Sequence, residues 1–246
     1  MQHLLLVGRP GAGKTTVMKR LAAALKGRPI DGFLTEELRE AGERLGFWLS
    51  SLDGRQALLA HKQLEGGYRV GPYKVNVDVL EAMAVPIIQR GVGAASVLFL
   101  DELGKMELCS AAFQQAVHEA FDRGPTVVAS VGVAHVPFLS SLKQRRDVEL
   151  IPLTVSNREA VQEELVERLG MLCLEDEPAR ALERQADRIC QMIVAGDAPQ
   201  LDIEIQQAAL RDAVSRRFPE KPGLYPLAYE TRFRRLWQQF RHQGHG

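Results

Sequence analysis

Eight residues near the start of the chain, Gly8-Arg9-Pro10-Gly11-Ala12-Gly13-Lys14-Thr15, join an apolar run at Leu4 to Val7 to a helical pattern that opens at Lys14. Glycines at Gly8, Gly11 and Gly13 let the backbone curl so that successive N–H groups turn inward. A helix that starts where the curl ends adds the positive end of its dipole. The stretch fits the Walker A pattern G-x-x-x-x-G-K-[ST], and it stands after a strand and before a helix, the context the pattern requires. Strand, anion nest and helix in that order point to an α/β fold with the nest at the strand's carboxyl end.

Three later runs, Val97 to Leu100, Thr126 to Val131 and Val148 to Leu153, are apolar almost throughout rather than alternating. Such runs are expected of strands buried on both faces of a parallel sheet. Helical patterns fall between them at Lys14 to Leu25, Val77 to Arg90, Ser110 to Asp122 and Ser156 to Leu169, the last with Ser156 as N-cap and Glu159 completing a capping box. Between about Pro29 and Lys74 short segments are punctuated by Gly42, Asp53-Gly54 and Gly66-Gly67. Asp-Gly between apolar stretches is a hairpin signal, for a turn with positive φ at both central positions. An antiparallel ribbon inserted into the sheet is the reading.

Residues 1–170 therefore form one domain, and residues 171–246 a helical extension of about three helices broken at Gly196 to Pro199 and Pro219 to Pro226. The apolar face of the first helix is Leu182, Ala186, Ile189 and Ile193; Ile205, Leu210 and Val214 follow less regularly, and then Phe233, Leu236, Trp237 and Phe240.

With 246 residues, 46% hydrophobic and 25% charged, the chain can bury a core, which excludes disorder and fibrous classes. Its 31 basic and 31 acidic residues cancel, so no overall field draws it to nucleic acid or an anionic membrane. Cys109, Cys173 and Cys190 are too scattered for a disulfide framework or a zinc knuckle. No run reaches signal-peptide or membrane-span length, and a reducing cytoplasm is the expected compartment.

The chemistry expected of the loop is nucleotide binding. Gly8, Arg9, Pro10, Gly11, Ala12, Gly13, Lys14, Thr15 and Thr16 form the nucleotide-binding set, with Arg9 most simply a solvated residue and Thr16 a first-turn residue beside the phosphates. Lys14 would reach the β- and γ-phosphates, and the Thr15 hydroxyl would take one Mg²⁺ position. The run Val97-Leu98-Phe99-Leu100 ends in Asp101-Glu102, an acid pair at the carboxyl end of a core strand. Asp101 is the candidate for holding Mg²⁺, and Glu102 the candidate base that deprotonates a water for attack on the γ-phosphate. Glu107 reads more simply as an acid favoured near a helix start.

The phosphate loop, Asp31-Gly32-Phe33-Leu34-Thr35-Glu36-Glu37, Arg44-Leu45-Gly46-Phe47, Tyr73-Lys74-Val75-Asn76-Val77, Asp101-Glu102-Leu103-Gly104-Lys105-Met106-Glu107-Leu108, Arg146-Asp147, and Thr154 with Asn157-Arg158 resemble the thermophilic-type nucleoside-triphosphatase family, whose mammalian member is the cancer-related nucleoside triphosphatase. The likeness covers roughly residues 1–170. It implies a P-loop NTPase three-layer sandwich with a mainly parallel sheet and the inserted ribbon, plus the helical extension. It also implies slow Mg²⁺-dependent hydrolysis of several nucleoside triphosphates, with Lys14 and Thr15 on phosphate and metal, Asp101 assisting the metal and Glu102 activating water. Two departures stand out: the stretch Gly132-Val133-Ala134-His135-Val136-Pro137, where the family has a different proline-containing stretch, and residues 171–246, which have no family counterpart.

Among secondary candidates, Lys143, Arg145 and Arg146 form a basic cluster, and Arg146 is the residue kept as a transition-state arginine; the simpler reading is a solvated helix end. Arg39 and Arg44 read as exposed hairpin charges, and Phe47, Trp48 and Tyr73 as cross-strand packing. His61, His118 and His135 have no partner at ligand spacing. Arg232, Arg234, Arg235 and Arg241, interleaved with Phe233, Trp237 and Phe240, could stack on single-stranded nucleic acid. A helix docking its aromatic face on the protein is favoured instead. Two rivals to hydrolysis stay open: a nucleotide-kinase-like phosphotransferase, and a nucleotide-gated module whose C-terminal helices engage a protein partner or a second copy.

Overall fold

The computed structural model describes residues 2–133 and 136–241. His135 and the histidines that close the tail lie outside the described residues. Contacts group the chain into two units, Met1–Cys173 and Leu174–Gly246.

The first unit is built on a sheet of nine strands. In chain order its elements are β1 (His3–Val7), α1 (Lys14–Ala24), β2 (Ile30–Glu40), β3 (Glu43–Ser51), β4 (Gln56–His61), β5 (Tyr68–Val70), β6 (Tyr73–Val75), α2 (Val77–Val79), a π turn (Leu80–Ala84), α3 (Val85–Ala94), β7 (Val97–Leu103), a 3₁₀ turn (Glu107–Cys109), α4 (Ala111–Arg123), β8 (Thr126–Val131), α5 (Pro137–Lys143), β9 (Val148–Pro152) and α6 (Arg158–Ala195). The strand order is β5-β6-β4-β3-β2-β7-β8-β1-β9. From β2 to β9 every neighbour is parallel, and every residue of β8 is buried, as its unbroken apolar run requires. The ribbon does not interrupt these strands. β2 pairs in parallel with β7 through Ile30 to Leu34 and then runs on to carry β3, β4, β6 and β5 antiparallel at the sheet's edge.

The hairpin chemistry differs from the sequence reading. Asp53-Gly54 does not form a turn with two positive φ values: Gly54 N donates to Ser51 O and only Gly54, at φ 94°, is left-handed. The two-residue turn is Ala41-Gly42, at φ 46° and 84°, between the paired Glu40 and Glu43. The helix expected at Val77 to Arg90 is continuous but widens into the π turn just before Pro86, whose ring cannot follow a regular turn and which brings no N–H.

Helices cover both faces of the sheet. Leu80, Ile87, Ile88, Phe113, Val117 and Phe121 pack on one side against Leu98, Leu100 and Val127. Val17, Met18, Leu21, Leu165 and Leu169 pack on the other against Leu4, Leu6, Phe99 and Val128. The start of α6 corrects the capping expectation: Ser156 is not its cap. Thr154 N donates to Asn157 Oδ1 at 2.8 Å and Asn157 N to Thr154 Oγ1 at 3.3 Å, so the helix opens at Arg158 and continues past Leu169 to Ala195.

The second unit packs the end of α6 with α7 (Gln200–Arg217), a π turn (Pro226–Glu230) and α8 (Thr231–Phe240). Its core is Ala186, Ile189, Ile193, Ile203, Leu210, Val214 and Phe233, with Trp237 against it. Ile205 is 55% exposed, because two residues from Ile203 on a helix is the opposite face. Phe240, expected on the apolar face of the last helix, is also exposed. The arginines of α8 serve the unit: Arg232 reaches Asp187 at 2.9 Å, and Arg241 donates to the carbonyls of Met192, Ile193 and Ala198.

Register in the parallel core turns on one glycine. Gly32 sits opposite Phe99 at φ 135°, and a Cβ there would lie 2.0 Å from the Phe99 carbonyl oxygen. Gly32→Ala is expected to cost about 3 kcal/mol or more, through backbone strain and overlap together, read as a fall in the urea unfolding midpoint.

Candidate active site

A parallel sheet places the carboxyl ends of its strands along one edge, and binding loops gather there. The loop after β1 begins at Gly8, whose missing side chain leaves room for Leu153 O, 2.7 Å from where a Cβ would stand. Gly11 and Gly13 adopt φ of 83° and 92°. Gly13 is the N-cap of α1 and offers no side-chain cap, and no acid stands in that helix's first turn, so its leading N–H groups are left for an anion.

Lys14 is buried, and its Nζ donates to Gly8 O at 3.2 Å and lies 3.5 Å from Glu102 Oε2. Asp101, at the carboxyl end of β7, is fully buried. The Ser130 hydroxyl of β8 donates to its Oδ1, while Oδ2 has no hydrogen-bond partner among the described residues. Burial pushes the Asp101 carboxyl up to about 6; the Ser130 and Thr15 hydroxyls pull it back, Glu102 raises it further and Lys14 lowers it. A buried carboxylate oxygen with no partner, beside a Thr hydroxyl, is a hard-oxygen donor set of the kind Mg²⁺ takes when phosphates and waters complete its shell. No cluster of three or more acidic, His or Cys side chains able to hold a metal occurs among the described residues. A metal cage made of protein alone is thus not what these residues offer.

Glu107 departs from the sequence reading. It does open the 3₁₀ turn before α4, but it is 2% exposed, and its Oε2 accepts from Gly104 N at 3.0 Å, which a preference for helix starts does not explain. Burial, then the charge of Glu102, push it up to about 8.

Lys14, Glu102 and Glu107 border a cleft of about 850 Å³, whereas the fully buried Asp101 is not part of its lining. Pro10, Gly11, Gly13, Lys14, Thr15, Thr16 and Glu102 line it, whereas Gly8 and Ala12 are buried and Arg9 is exposed outside the lining. The ribbon contributes Glu36, Glu37, Arg44 and Phe47. Lys19 pairs with Glu36 and Arg44 with Glu37, so Arg44 is not merely an exposed hairpin charge; Phe47 packs edge-on against Tyr73 at 5.1 Å.

Arg146 is elsewhere. It precedes β9, whose Val148 pairs with His3, while the phosphate loop follows Val7 at the other end of β1, about 16 Å away by strand rise. Arg146 is exposed there, and Arg145 is held by Asp147 at 2.8 Å and Asp122 at 2.5 Å. The arginine at the correct end of β9 is Arg158, which lines the cleft with its Cδ 3.3 Å from where a Gly13 Cβ would be. Parallel pairing of β1 with the last core strand is the signal that could have found it.

Against this geometry, a family model described as NTPase matches residues 3–166. The chain belongs to this nucleoside-triphosphatase family. The nucleoside-triphosphatase THEP1 of Thermotoga sp. (strain RQ2) is 40% identical over 163 residues, 66% of this chain and 92% of that protein. The human cancer-related nucleoside-triphosphatase is 34% identical over 182 residues, 67% of this chain and 95% of that protein. The crystal structure of THEP1 from Aquifex aeolicus superposes with a TM-score of 0.62 at 33% identity, covering 67% of this chain and 96% of that one. The solution structure of the human protein gives 0.60 at 33%, covering 69% and 97%. A P-loop NTPase fold of three layers, its mainly parallel sheet extended by the ribbon, is what these structures share with the nucleoside-triphosphatase family. No described helix is long and apolar enough to cross a membrane.

The raised carboxyls have a thermodynamic consequence. Folded Glu107 keeps its proton to about pH 8, whereas the ordinary value is 4.5, so the native state binds more protons across that interval. Its contribution is full below pH 4.5 and is lost as pH rises through about 8. Glu107→Gln removes the titration. The variant is expected to gain on the wild type between about pH 5 and 8, by on the order of a few kcal/mol, in urea unfolding measured across that range.

Proposed function

We propose that the protein hydrolyses nucleoside 5′-triphosphates to diphosphate and phosphate with Mg²⁺, with little selection among bases. The observation that carries this reading is the Glu102 carboxylate, half-exposed at the cleft and 3.5 Å from the Lys14 ammonium, directly after the buried Asp101. The names of the relatives, both nucleoside-triphosphatases, support it.

In this reading the loop N–H groups and Lys14 bind the phosphates and neutralise charge that builds on them during transfer. Thr15 and Asp101 would hold the metal, which when bound supplies further charge neutralisation at the phosphate oxygens. Glu102 accepts a proton from a water whose oxygen forms the new bond to the γ-phosphorus, as the bond to the β,γ-bridging oxygen breaks and the diphosphate leaves. A protonated Glu107 keeps a third negative charge away from the pair.

Phosphate release from ATP, GTP, CTP and UTP, with and without Mg²⁺ and with no added acceptor, tests this. Turnover of all four is expected, and its absence until an acceptor is supplied would identify a phosphotransferase instead. Glu102→Gln is expected to slow release at least ~100-fold while ATP still binds. Lys14→Ala is expected to weaken ATP binding as well as turnover.

A further inference from the structure

The order of strands gives the phosphate loop two unlike sides. Across β8 from β1 stands β7, which carries Asp101 and Glu102; on the other side of β1 stands β9, which leads into Arg158. Once the water-activating end of a bound triphosphate is set toward β7, the rest of the nucleotide must run toward β9. This inference rests on the reading of the cleft as a triphosphate site.

Local structure holds Arg158 in place on that side. Leu153 N donates to Val7 O at 2.7 Å, Asn157 Nδ2 to Pro152 O at 2.9 Å, and the reciprocal Thr154 and Asn157 bonds close the turn. Arg158 is consequently the first residue of α6, with its side chain lying over Gly13. Of the cations that line the cleft, Lys14, Lys19 and Arg44 face Glu102, Glu36 and Glu37. Arg158 makes no ion pair or hydrogen bond among the described residues. Lys105 also lacks one, but it follows β7 and belongs to the opposite side.

A guanidinium plane is suited to lie against an aromatic ring, because it is delocalised and weakly hydrated, and every nucleobase offers such a face. Edge recognition needs hydrogen-bonding groups fixed against one base; a stacked plane needs none. We propose that Arg158 is the contact at the nucleoside end of the cleft, its guanidinium stacking on the base and so holding any of the four common bases without reading an edge.

The test compares binding of ADP, GDP, CDP and UDP with binding of inorganic pyrophosphate, to the wild type, Arg158→Ala and Arg158→Lys, by calorimetry. Both variants are expected to weaken all four nucleotides by a similar factor of about ten, the loss of one stacked contact. Pyrophosphate binding is expected to stay unchanged, which also shows that the variants are folded. The KM for ATP is expected to rise by the same factor, with kcat within about twofold. Equal weakening of pyrophosphate, or recovery of nucleotide binding in Arg158→Lys, overturns stacking in favour of a charge contact to phosphate. Unchanged nucleotide binding in both variants overturns the contact altogether. If the wild type binds nucleotides but releases no phosphate, the hydrolase reading falls while the stacking test still stands; if it binds none, both fall.

Discussion

Placing a carboxyl group with no exposed surface at the end of β7 is unfavourable unless its surroundings return most of what dehydration takes away. At Asp101 the return comes from three groups on two other strands or the segments that follow them: the Ser130 hydroxyl from β8, and the Thr15 hydroxyl and Lys14 ammonium from the start of the helix after β1. None of these can reach Asp101 unless β7, β8 and β1 lie side by side and in parallel, with the registers they have. The buried acid thus ties the correctness of the sheet to the correctness of the site. Its second oxygen has no hydrogen-bond partner among the described residues, so the compensation they give is incomplete.

The layout of this core was legible because parallel, doubly covered strands leave near-continuous apolar runs, and because a glycine nest flanked by strand and helix has few other uses. Three core strands and the phosphate loop follow from that; the fourth run, Val148 to Leu153, is also a parallel strand but lies at the sheet's edge, where Leu150 is 44% exposed and no residue of β9 is fully buried. What could not be read was pairing. The sequence singled out Arg146 and passed over Arg158, and only the parallel alignment of β9 with β1 puts Arg158 at the edge that carries the phosphate loop and Arg146 a strand's length away. The burial of Glu107 escaped for a related reason: the preference for acids near helix starts, which it does satisfy, is a local rule, whereas its burial is a tertiary fact. The turn at Asp53-Gly54 shows the same limit, since the dipeptide signals a turn but its type is set by how β3 and β4 twist around it.

The helical unit obeys a different economy. Its arginines looked free in the sequence because charge and aromatics alternate along α8. Arg232 is matched to Asp187, and Arg241 closes off carbonyls at the end of α6 that have no helical partner of their own. A basic, aromatic-rich segment is in this case a device for finishing a helix end, with Phe233 as its buried anchor.

The nine-stranded sheet ends on β5 at one side and β9 at the other. A sheet this wide exposes two rows of unpaired backbone groups, and such rows recruit other strands unless something blunts them. β5 is only three residues long, carries Arg69, and is flanked by the left-handed Gly67 and Gly71, which bend the chain away on either side. β9 has five residues, places the charged Glu149 along its length and ends in Pro152, which has no N–H to offer. Both margins are therefore too short and too interrupted to template a further strand, and the protein can carry an extended ribbon on its sheet without inviting edge-to-edge aggregation.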